Sequence, residues 1–500
     1  MSKVVVLGLD GFNPELVQKW LDELPNFKKM QEEGIWGEMQ STVPPITPQA
    51  WTCAQVGRNP GAYGFWDFTY RDDFSYGQPK LVNSQIINPD PLYRILPKMG
   101  KKVAVINAPV TYPPPEIEGA YFITSFLTPS TEHSFTYPEE LRNEVKKMVG
   151  DYILDASTPD QNYRTMDKDE VLKRIYDMDS QRFTLLKHFI TEKECDYIFT
   201  VIMGTDRMPH LFYRYFDEKH KRYDPDSRYQ DALKEHYKFI DKNVGEIRNL
   251  LDDETVLFIH SDHSVQRLDG RINLNEWLIN EGYMTLKEYP SELARFNDLK
   301  VDWTKTKAWA TGYTGQLYLN VKGRESQGIV DPDDYYKLLD ELTLKMLEIP
   351  DDEGRPLNTQ VFRREDIHFG PYSEYGPDLF IHFDECRWNI SEMVGYKELY
   401  SYDTPLGPDD GGHGFYGYFC LAGPGVPANG QYHGASLLNV APTVLYYMDL
   451  PIPRDMEIKH ALSEEGVQEE AESESLKTED IFYSSADEET IRDRLAFLGY

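Results

Sequence analysis

The sequence is poor in basic residues and in cysteine. Lysine and arginine number 52 against 84 aspartates and glutamates, so the 500 residues carry a net charge of −32. Nucleic acid is not an expected partner, because phosphate backbones are held by clustered lysines and arginines. The four cysteines lie far apart and form no CxxC pair. Neither a disulfide framework nor a thiolate zinc site is predicted, and a reducing compartment fits best.

Long apolar runs are also missing. No stretch approaches the roughly 18 apolar residues that a membrane helix needs. The chain begins with the strand-like segment KVVVLGLDG instead of a signal peptide. We therefore expect no membrane association and a location in the cytoplasm. With 40% hydrophobic and 13% aromatic residues, the chain has ample material for a packed core. Nothing in the sequence indicates the oligomeric state.

Short apolar runs alternate with helical stretches over the first 280 residues. Continuous apolar runs predict buried strands at 4–9, 103–106, 197–203 and 256–260. Helices are predicted at about 169–192 and 228–251, and Asn13 and Pro14 are typical of the start of a further helix. This order predicts an α/β fold with a mostly parallel sheet covered by helices on both faces.

The pattern changes between about residues 285 and 404. A strand, a helix and a second strand there predict a smaller α+β domain inserted into the main one. We expect a discontinuous metal-binding core of residues 1–284 and 405–462, interrupted by a cap or substrate domain at 285–404. Residues 463–500 are predicted to form an acidic linker followed by a C-terminal helix.

Polar residues that suit chemistry follow several of these strands. Asp10 ends the first strand, where parallel sheets bind ligands, although it could simply cap the next turn. The same segment lacks the GxGxxG pattern of a dinucleotide site. Thr47 is predicted to be a helix N-cap before Pro48, and capping alone would explain it. Beside a metal ion, however, its hydroxyl would be a nucleophile with an anion-binding helix terminus around it.

Three further segments carry Asp and His at spacings that suit metal ions. Asp206 and His210 lie four residues apart, which places both on one face of a helix. Asp262 and His263 follow the fourth strand, and His413 lies between glycines. His263 is a better ligand candidate than His260, because it lies beyond the apolar run of the strand. Each segment alone has an ordinary alternative: a surface pair, a polar turn or a flexible loop. Together with Asp10 and Thr47, these segments could supply the three or four ligands per ion that a two-metal phosphate site needs, and Asp with His favours zinc, manganese or iron.

The motifs resemble the type I phosphodiesterase/nucleotide pyrophosphatase family of the alkaline phosphatase superfamily. The matching stretches are VVVLGLDG, TPQAWTCAQVGRNPGAYGFWDF, GTDRMPH, SDHS and GGHGFYGYFCLAGPG. The resemblance implies an alkaline-phosphatase-like fold and two divalent metal ions, zinc first, with manganese or magnesium as alternatives. It implies one ion held by Asp206, His210 and His413. The second would be held by Asp10, Asp262 and His263, with Thr47 as the nucleophile at its side.

The resemblance implies cleavage of phosphodiester or pyrophosphate bonds in a small molecule through a phospho-threonine intermediate. The chain departs from the family pattern at Ala50, where an asparagine often holds the phosphoryl oxygen, and Gln49 is a possible substitute. Trp51 and Trp66 are candidate substrate contacts, with core packing as the alternative. A phosphomonoesterase, phosphonate hydrolase or phosphomutase would fit the same scaffold, as would a catalytically silent binding protein. The sulfatase signature is missing around Thr47.

Overall fold

A large central sheet forms the body of the protein. The computed structural model describes residues 3–158, 160–404, 407–428, 430–459, 461–462, 470–471 and 483–498. Most of the predicted acidic linker lies outside these residues. The strands of the central sheet are β1 (Lys3–Leu9), β2 (Ile35–Gln40), β3 (Val103–Ile106), β4 (Ala120–Ile123), β5 (Thr136–Tyr137), β6 (Tyr197–Ile202), β7 (Thr255–His260), β8 (Tyr416–Ala422), β9 (Gly430–Gln431) and β10 (Ala435–Ser436).

The order of strands in this sheet is β9-β2-β8-β7-β1-β6-β3-β4-β5, and β10 pairs with β2. Strand β1 is central and runs parallel to both β6 and β7, with Val4 opposite Tyr197 on one side and Val256 on the other. Only β8 and β5 run antiparallel to their neighbours. The α/β class and the mostly parallel sheet are thus confirmed, and all four predicted strands are present.

Thirteen helices accompany the sheets in the described residues. They are α1 (Pro14–Lys19), α2 (Pro25–Glu33), α3 (Thr47–Val56), α4 (Leu92–Lys98), α5 (Leu141–Val149), α6 (Lys168–Glu192), α7 (Gly204–Phe216), α8 (Ala232–Arg248), α9 (Leu274–Asn280), α10 (Tyr335–Leu347), α11 (Arg364–Ile367), α12 (Val440–Tyr447) and α13 (Ser485–Leu498). Asn13 caps α1 as predicted, because its Oδ1 accepts the Glu15 amide at 2.8 Å. No helix in the described part of the chain is long and apolar enough to cross a lipid bilayer.

Smaller sheets lie between β7 and β8 in the chain. A four-stranded antiparallel sheet contains, in spatial order, Ala308–Thr311, Gln316–Leu319, Leu379–His382 and Gln360–Arg363. A three-stranded sheet contains Trp388–Ser391, Gly270–Asn273 and Tyr400–Ser401, and Ser264–Arg267 pairs with Gly411–Gly414. Strand pairs also form between Thr69–Tyr70 and Lys80–Leu81, and between Ile452–Pro453 and Glu470–Ala471.

Two hydrophobic cores match this division. The first surrounds the central sheet and includes Ile491 and Leu495 of α13. The second joins α10 to the four-stranded sheet and also takes in Ile272 and Leu274. The second core therefore draws on residues before position 285, and the domain boundaries proposed from the sequence stay a prediction.

Candidate metal centre

Asp and His side chains from four segments meet at one edge of the central sheet. Asp10 directly follows β1, and Asp206 lies in the first turn of α7, just after β6. Asp262 follows β7, and His413 lies in the short strand before β8. Since β1, β6 and β7 are parallel neighbours, their carboxyl ends meet at the same edge, which is why residues about 250 positions apart converge.

The first group contains Asp206, His210 and His413, and its three ligand atoms lie within 4.8 Å of one another. Oδ1 of Asp206 lies 3.4 Å from Nε2 of His210 and 3.5 Å from Nε2 of His413. The helical spacing of Asp206 and His210 is confirmed, because both lie in α7. All three side chains are buried.

The second group contains Asp10, Asp262 and His263, whose ligand atoms also lie within 4.8 Å of one another. Nε2 of His263 lies 3.2 Å from Oδ2 of Asp262 and 3.7 Å from Oδ1 of Asp10. The two groups are adjacent, because the rings of His263 and His413 stack with centroids 3.9 Å apart. His260, the alternative histidine, lies within β7 and packs beside Trp51.

Thr47 lies at the second group, with its Oγ1 3.3 Å from Nε2 of His263. The prediction that Thr47 is an N-cap is wrong, because α3 begins at Thr47 and Ile46 occupies the cap position without a side-chain hydrogen bond. The hydroxyl faces His263 instead of the helix backbone. The first hydrogen bond of the helix runs from the Ala50 backbone amide to the Ile46 carbonyl. The backbone amide of Gln49 therefore belongs to the first turn, at the positive end of the helix dipole.

Each of the three aspartates accepts a hydrogen bond from the surrounding protein at one carboxylate oxygen, which leaves its other oxygen for a different partner. The Trp51 indole donates to Oδ2 of Asp10 at 2.7 Å, and the Gly11 amide donates to Oδ1 of Asp262 at 3.2 Å. Arg207 donates to Oδ2 of Asp206. The opposite oxygens, Oδ1 of Asp10, Oδ2 of Asp262 and Oδ1 of Asp206, are buried and have no hydrogen-bond partner among the residues that the structure describes. Buried polar atoms are normally paired, so these three oxygens are suited to binding cations.

Each histidine is also held by the surrounding protein, through a contact of its Nδ1 atom with an oxygen acceptor. Nδ1 of His210 contacts Oδ1 of Asp409 at 2.8 Å, and Nδ1 of His413 contacts the Pro45 carbonyl at 2.9 Å. Nδ1 of His263 lies 3.1 Å from the Ser264 carbonyl. An acceptor at Nδ1 places the proton there and leaves the Nε2 lone pair for a metal ion. The residues present therefore fit two divalent cations bound by oxygen and nitrogen.

Electrostatics favour positive charge between these acids. Burial raises the pKa of Asp10, and the charge of Asp206 raises it further. Burial also raises the pKa of Asp262, with the Asp10 charge as the next cause. For Asp206 burial is again the largest influence, but His210 and Arg207 help to bring its pKa well below the usual value. Three carboxyls in one buried basin repel one another, and bound cations would remove that repulsion.

The three predicted substrate contacts occupy different places. Trp51 is buried beneath Asp10 and holds its carboxylate. The side-chain amide of Gln49 donates to the carbonyls of Pro44 at 3.1 Å and Trp66 at 3.0 Å, while its buried Oε1 has no hydrogen-bond partner among the described residues. Trp66 hydrogen-bonds Nδ1 of His368 at 3.0 Å and lines a cavity next to the centre. A direct contact with substrate stays a prediction for all three.

Sequence reasoning missed Asp409, which lies two residues before Gly411, the first of the two glycines that precede His413. Besides His210, it binds Arg164 at 3.1 Å and Arg271 at 2.8 Å, and all these groups are buried. The arginines and His210 hold its pKa far below the usual value despite burial. The available signal was the acid pair before GGH in the motif DDGGHG, but an acid beside a glycine loop is more commonly a turn residue.

Comparisons with known proteins identify a matching family and structures of similar fold. The family model described as type I phosphodiesterase / nucleotide pyrophosphatase matches residues 4–415. A search of curated proteins finds no significant match. Among solved structures, phosphonoacetate hydrolase from Sinorhizobium meliloti 1021, in complex with phosphonoformate, is similar with a TM-score of 0.57 and 13% identity, covering 90% of this chain and 96% of the other.

A second similar structure is murine ectonucleotide pyrophosphatase / phosphodiesterase 5, solved as an inactive threonine-to-alanine variant in complex with AMP. It has a TM-score of 0.50 and 13% identity, covering 90% of this chain and 96% of the other. At this level of identity, both structures show a shared fold.

Proposed function

The chain belongs to the type I phosphodiesterase / nucleotide pyrophosphatase family, and from that premise we propose that it hydrolyses phosphodiester or pyrophosphate bonds in small molecules with two divalent metal ions and Thr47 as the nucleophile. The observation that carries the proposal is the 3.3 Å contact between Thr47 Oγ1 and Nε2 of His263, a member of the second Asp/His group, whose ring stacks on His413 of the first group. A hydroxyl beside such a group is positioned to attack a bound phosphorus atom.

Asp206, His210 and His413 would hold one ion, and Asp10, Asp262 and His263 the other. Zinc is our first choice, with manganese or magnesium as alternatives, because the ligand sets combine carboxylate oxygen with imidazole nitrogen. When bound, such ions supply positive charge that acidifies a hydroxyl and stabilises phosphoryl oxygens.

The reaction proceeds in two displacements. In the first, the Thr47 oxygen bonds to phosphorus while the bond to the ester oxygen breaks, and the proton lost by the Thr47 hydroxyl balances the one gained by the departing alcohol. In the second, a water oxygen bonds to phosphorus, the bond to Thr47 breaks, and a proton from that water restores the Thr47 hydroxyl. A diester is thereby converted with one water into a monoester and an alcohol. The positive N-terminus of α3, where Thr47 lies, favours the negative phosphoryl group in both steps.

Thr47→Ala and Thr47→Ser test the nucleophile. We expect Thr47→Ala to abolish hydrolysis of bis(p-nitrophenyl) phosphate while binding as much zinc as the natural protein, and Thr47→Ser to retain measurable activity. Mass spectrometry of acid-quenched reactions should find a phosphoryl group on Thr47. Full activity of Thr47→Ala at unchanged metal content would overturn the covalent role. No turnover of any ester by the metal-loaded protein would instead favour a binding protein without catalysis.

Phosphonate hydrolysis is a second candidate, because a structure similar to this chain is a phosphonoacetate hydrolase. Rates with bis(p-nitrophenyl) phosphate, p-nitrophenyl phosphate and phosphonoacetate separate the possibilities. A diesterase cleaves the first fastest. A strong preference for the second indicates a phosphomonoesterase, and phosphate release from the third alone indicates a phosphonate hydrolase. The cytoplasmic location and the lack of a nucleic-acid partner stay predictions from composition.

A further inference from the structure

A cavity of about 290 Å³ adjoins the candidate metal centre. It lies between residues 66–81, residues 295–318 and α13. Its inner wall includes Tyr313, whose ring centroid lies 5.0 Å from that of His413. The same wall includes Arg271, which donates to Asp409 at 2.8 Å. A phosphate ester bound at the centre would therefore have this space beside it for its organic group.

Aromatic rings form much of the cavity wall. Tyr76 and Trp303 stack with centroids 3.8 Å apart, and Trp309 and Tyr318 stack at 5.3 Å. The guanidinium of Arg71 lies over two of these rings, 5.0 Å from Tyr318 and 5.7 Å from Trp309. The rings of this wall thus already accommodate one cation, as the negative faces of aromatic rings do.

Two carboxyl groups, those of Asp67 and Glu392, converge on Gly312 in the same cavity. A Cβ atom at Gly312 would lie 3.2 Å from Oδ2 of Asp67, and the Gly312 amide stabilises the charged form of Glu392. Asp67 accepts hydrogen bonds from the Phe68 amide at 2.7 Å and from the Gln316 side chain at 3.4 Å. Burial raises the pKa of Asp67 to about 6 and, together with the Asp67 charge, that of Glu392 to about 7.

Neither carboxyl forms an ion pair within the part of the chain that the structure describes. Among the described residues, no Lys, Arg or His nitrogen lies within 4.0 Å of Asp67 or Glu392. Arg295 is close enough to lower the pKa of Glu392 but forms no ion pair with it. The other lining arginines have carboxylate partners elsewhere: Arg71 with Glu325 at 3.7 Å, Arg271 with Asp409 at 2.8 Å and Arg492 with Glu488 at 2.9 Å. The cavity therefore has an aromatic wall and a pair of acids that form no ion pair with any residue in the described part of the chain.

We propose that this cavity selects esters whose organic group carries a protonated or quaternary amine, with Asp67 and Glu392 as the counter-charges and the aromatic wall as the contact for the apolar part. This substrate class rests on the proposed function, since it assigns the second substituent of the cleaved ester. Aromatic surfaces with nearby carboxylates are a common way for proteins to bind ammonium groups.

Matched substrates test the proposal on the natural protein. p-Nitrophenyl phosphocholine carries a quaternary amine, and p-nitrophenyl 3,3-dimethylbutyl phosphate has the same shape without the charge. We expect the kcat/KM ratio of the charged to the neutral ester to be about tenfold or more, a typical gain for a desolvated cation on aromatic rings. The corresponding ethanolamine ester shows whether a primary ammonium is preferred. A ratio of one or less overturns the proposal.

Variants and a binding probe separate this inference from the proposed function. Glu392→Gln and Asp67→Asn should each lower the charged-to-neutral ratio several-fold. Asp366→Asn, which removes an exposed carboxyl that does not line the cavity, should leave the ratio unchanged. Calorimetry with choline and with 3,3-dimethylbutan-1-ol measures the affinity of the cavity for the charged and the neutral group without any hydrolysis. Choline binding with no ester cleaved refutes the proposed function alone. Ester cleavage without charge preference or choline binding refutes only the cavity inference.

Discussion

Nδ1 of His210 lies 2.8 Å from Oδ1 of Asp409, and this buried contact links the candidate metal centre to residues well outside it. Asp409 also binds Arg164 and Arg271, so the imidazole is held by a carboxylate that is itself fixed on two sides. Such a carboxylate orients a metal-binding histidine and makes its other nitrogen more basic.

Asp409→Asn should therefore weaken zinc binding by roughly 10- to 100-fold, the usual cost of losing an outer carboxylate of this kind. Competition with a chromophoric chelator measures the affinity. The matched control is Asp410→Asn, because the neighbouring carboxylate binds Arg214 instead of a histidine. Equal zinc affinity in the natural protein and Asp409→Asn would show that the contact does not support metal binding.

Trp51→Phe tests the outer contact of the second group. The substitution keeps a buried aromatic ring but removes the 2.7 Å hydrogen bond to Asp10. A hydrogen bond to a charged group contributes about 1.5–3 kcal/mol, so we expect one of two zinc ions to bind roughly tenfold or more weakly while the other is unaffected. Trp20→Phe, at another buried tryptophan, is the control. If both zinc ions bound more weakly by the same factor, the effect would come from the changed packing of the ring and not from the lost hydrogen bond.

Gly8→Ala tests how the sheet supports the centre. A Cβ atom at Gly8 would lie 2.5 Å from the indole of Trp51, so the ring that holds Asp10 would have to move. Overpacking of this kind costs about 1–3 kcal/mol, and we expect a lower thermal midpoint together with weaker zinc binding. At Gly77 an added Cβ would meet only a serine hydroxyl, at 3.3 Å. Gly77→Ala should therefore change neither the thermal midpoint nor the zinc affinity. A normal midpoint and zinc affinity for Gly8→Ala would contradict the packing argument.

The acids of the cavity predict a pH dependence of stability. The pKa of Glu392 is raised from 4.5 to about 7, so the folded protein binds a proton that the unfolded chain has released between these values. Stability therefore falls as pH rises from about 4.5 to 7, with Asp67 and Arg295 as the charged neighbours.

Glu392→Gln removes the ionisable group that causes this fall in stability with rising pH. We expect it to stabilise the metal-free protein by roughly 2 kcal/mol at pH 8 and by much less at pH 4.5. Thermal unfolding in a chelator at both pH values measures the difference, and Asp366→Asn is the exposed control. A variant that is less stable than the natural protein at pH 8 would show that Glu392 is held by a cation after all.

Much of the fold could be predicted because its strands are short, continuous apolar runs. The run at 103–106 matches β3 residue for residue, and the run at 256–260 extends by only one residue to Thr255. Helix ends were harder. The predicted helix at 228–251 covers only Ala232–Arg248, because the residues before it form turns. Local sequence does not reveal where a helix gives way to a turn that is held by distant contacts.

The candidate site could likewise be predicted only in part. His263 was preferred over His260 because it lies beyond the apolar run, and His263 is the one beside Asp10. The placement of Thr47 was missed by one position, because its hydroxyl is engaged by His263, more than 200 residues away. The acids at Asp67 and Glu392 had no sequence signal, since only the packing of two distant loops on Gly312 brings them together.

A crystal structure of the zinc-loaded protein, with anomalous diffraction measured at the zinc edge, tests the two-metal centre directly. Two peaks are expected about 4 Å apart, one at Asp206, His210 and His413 and one at Asp10, Asp262 and His263 beside Thr47. A fully loaded protein with no peak at these residues, or with zinc bound only elsewhere, would contradict it.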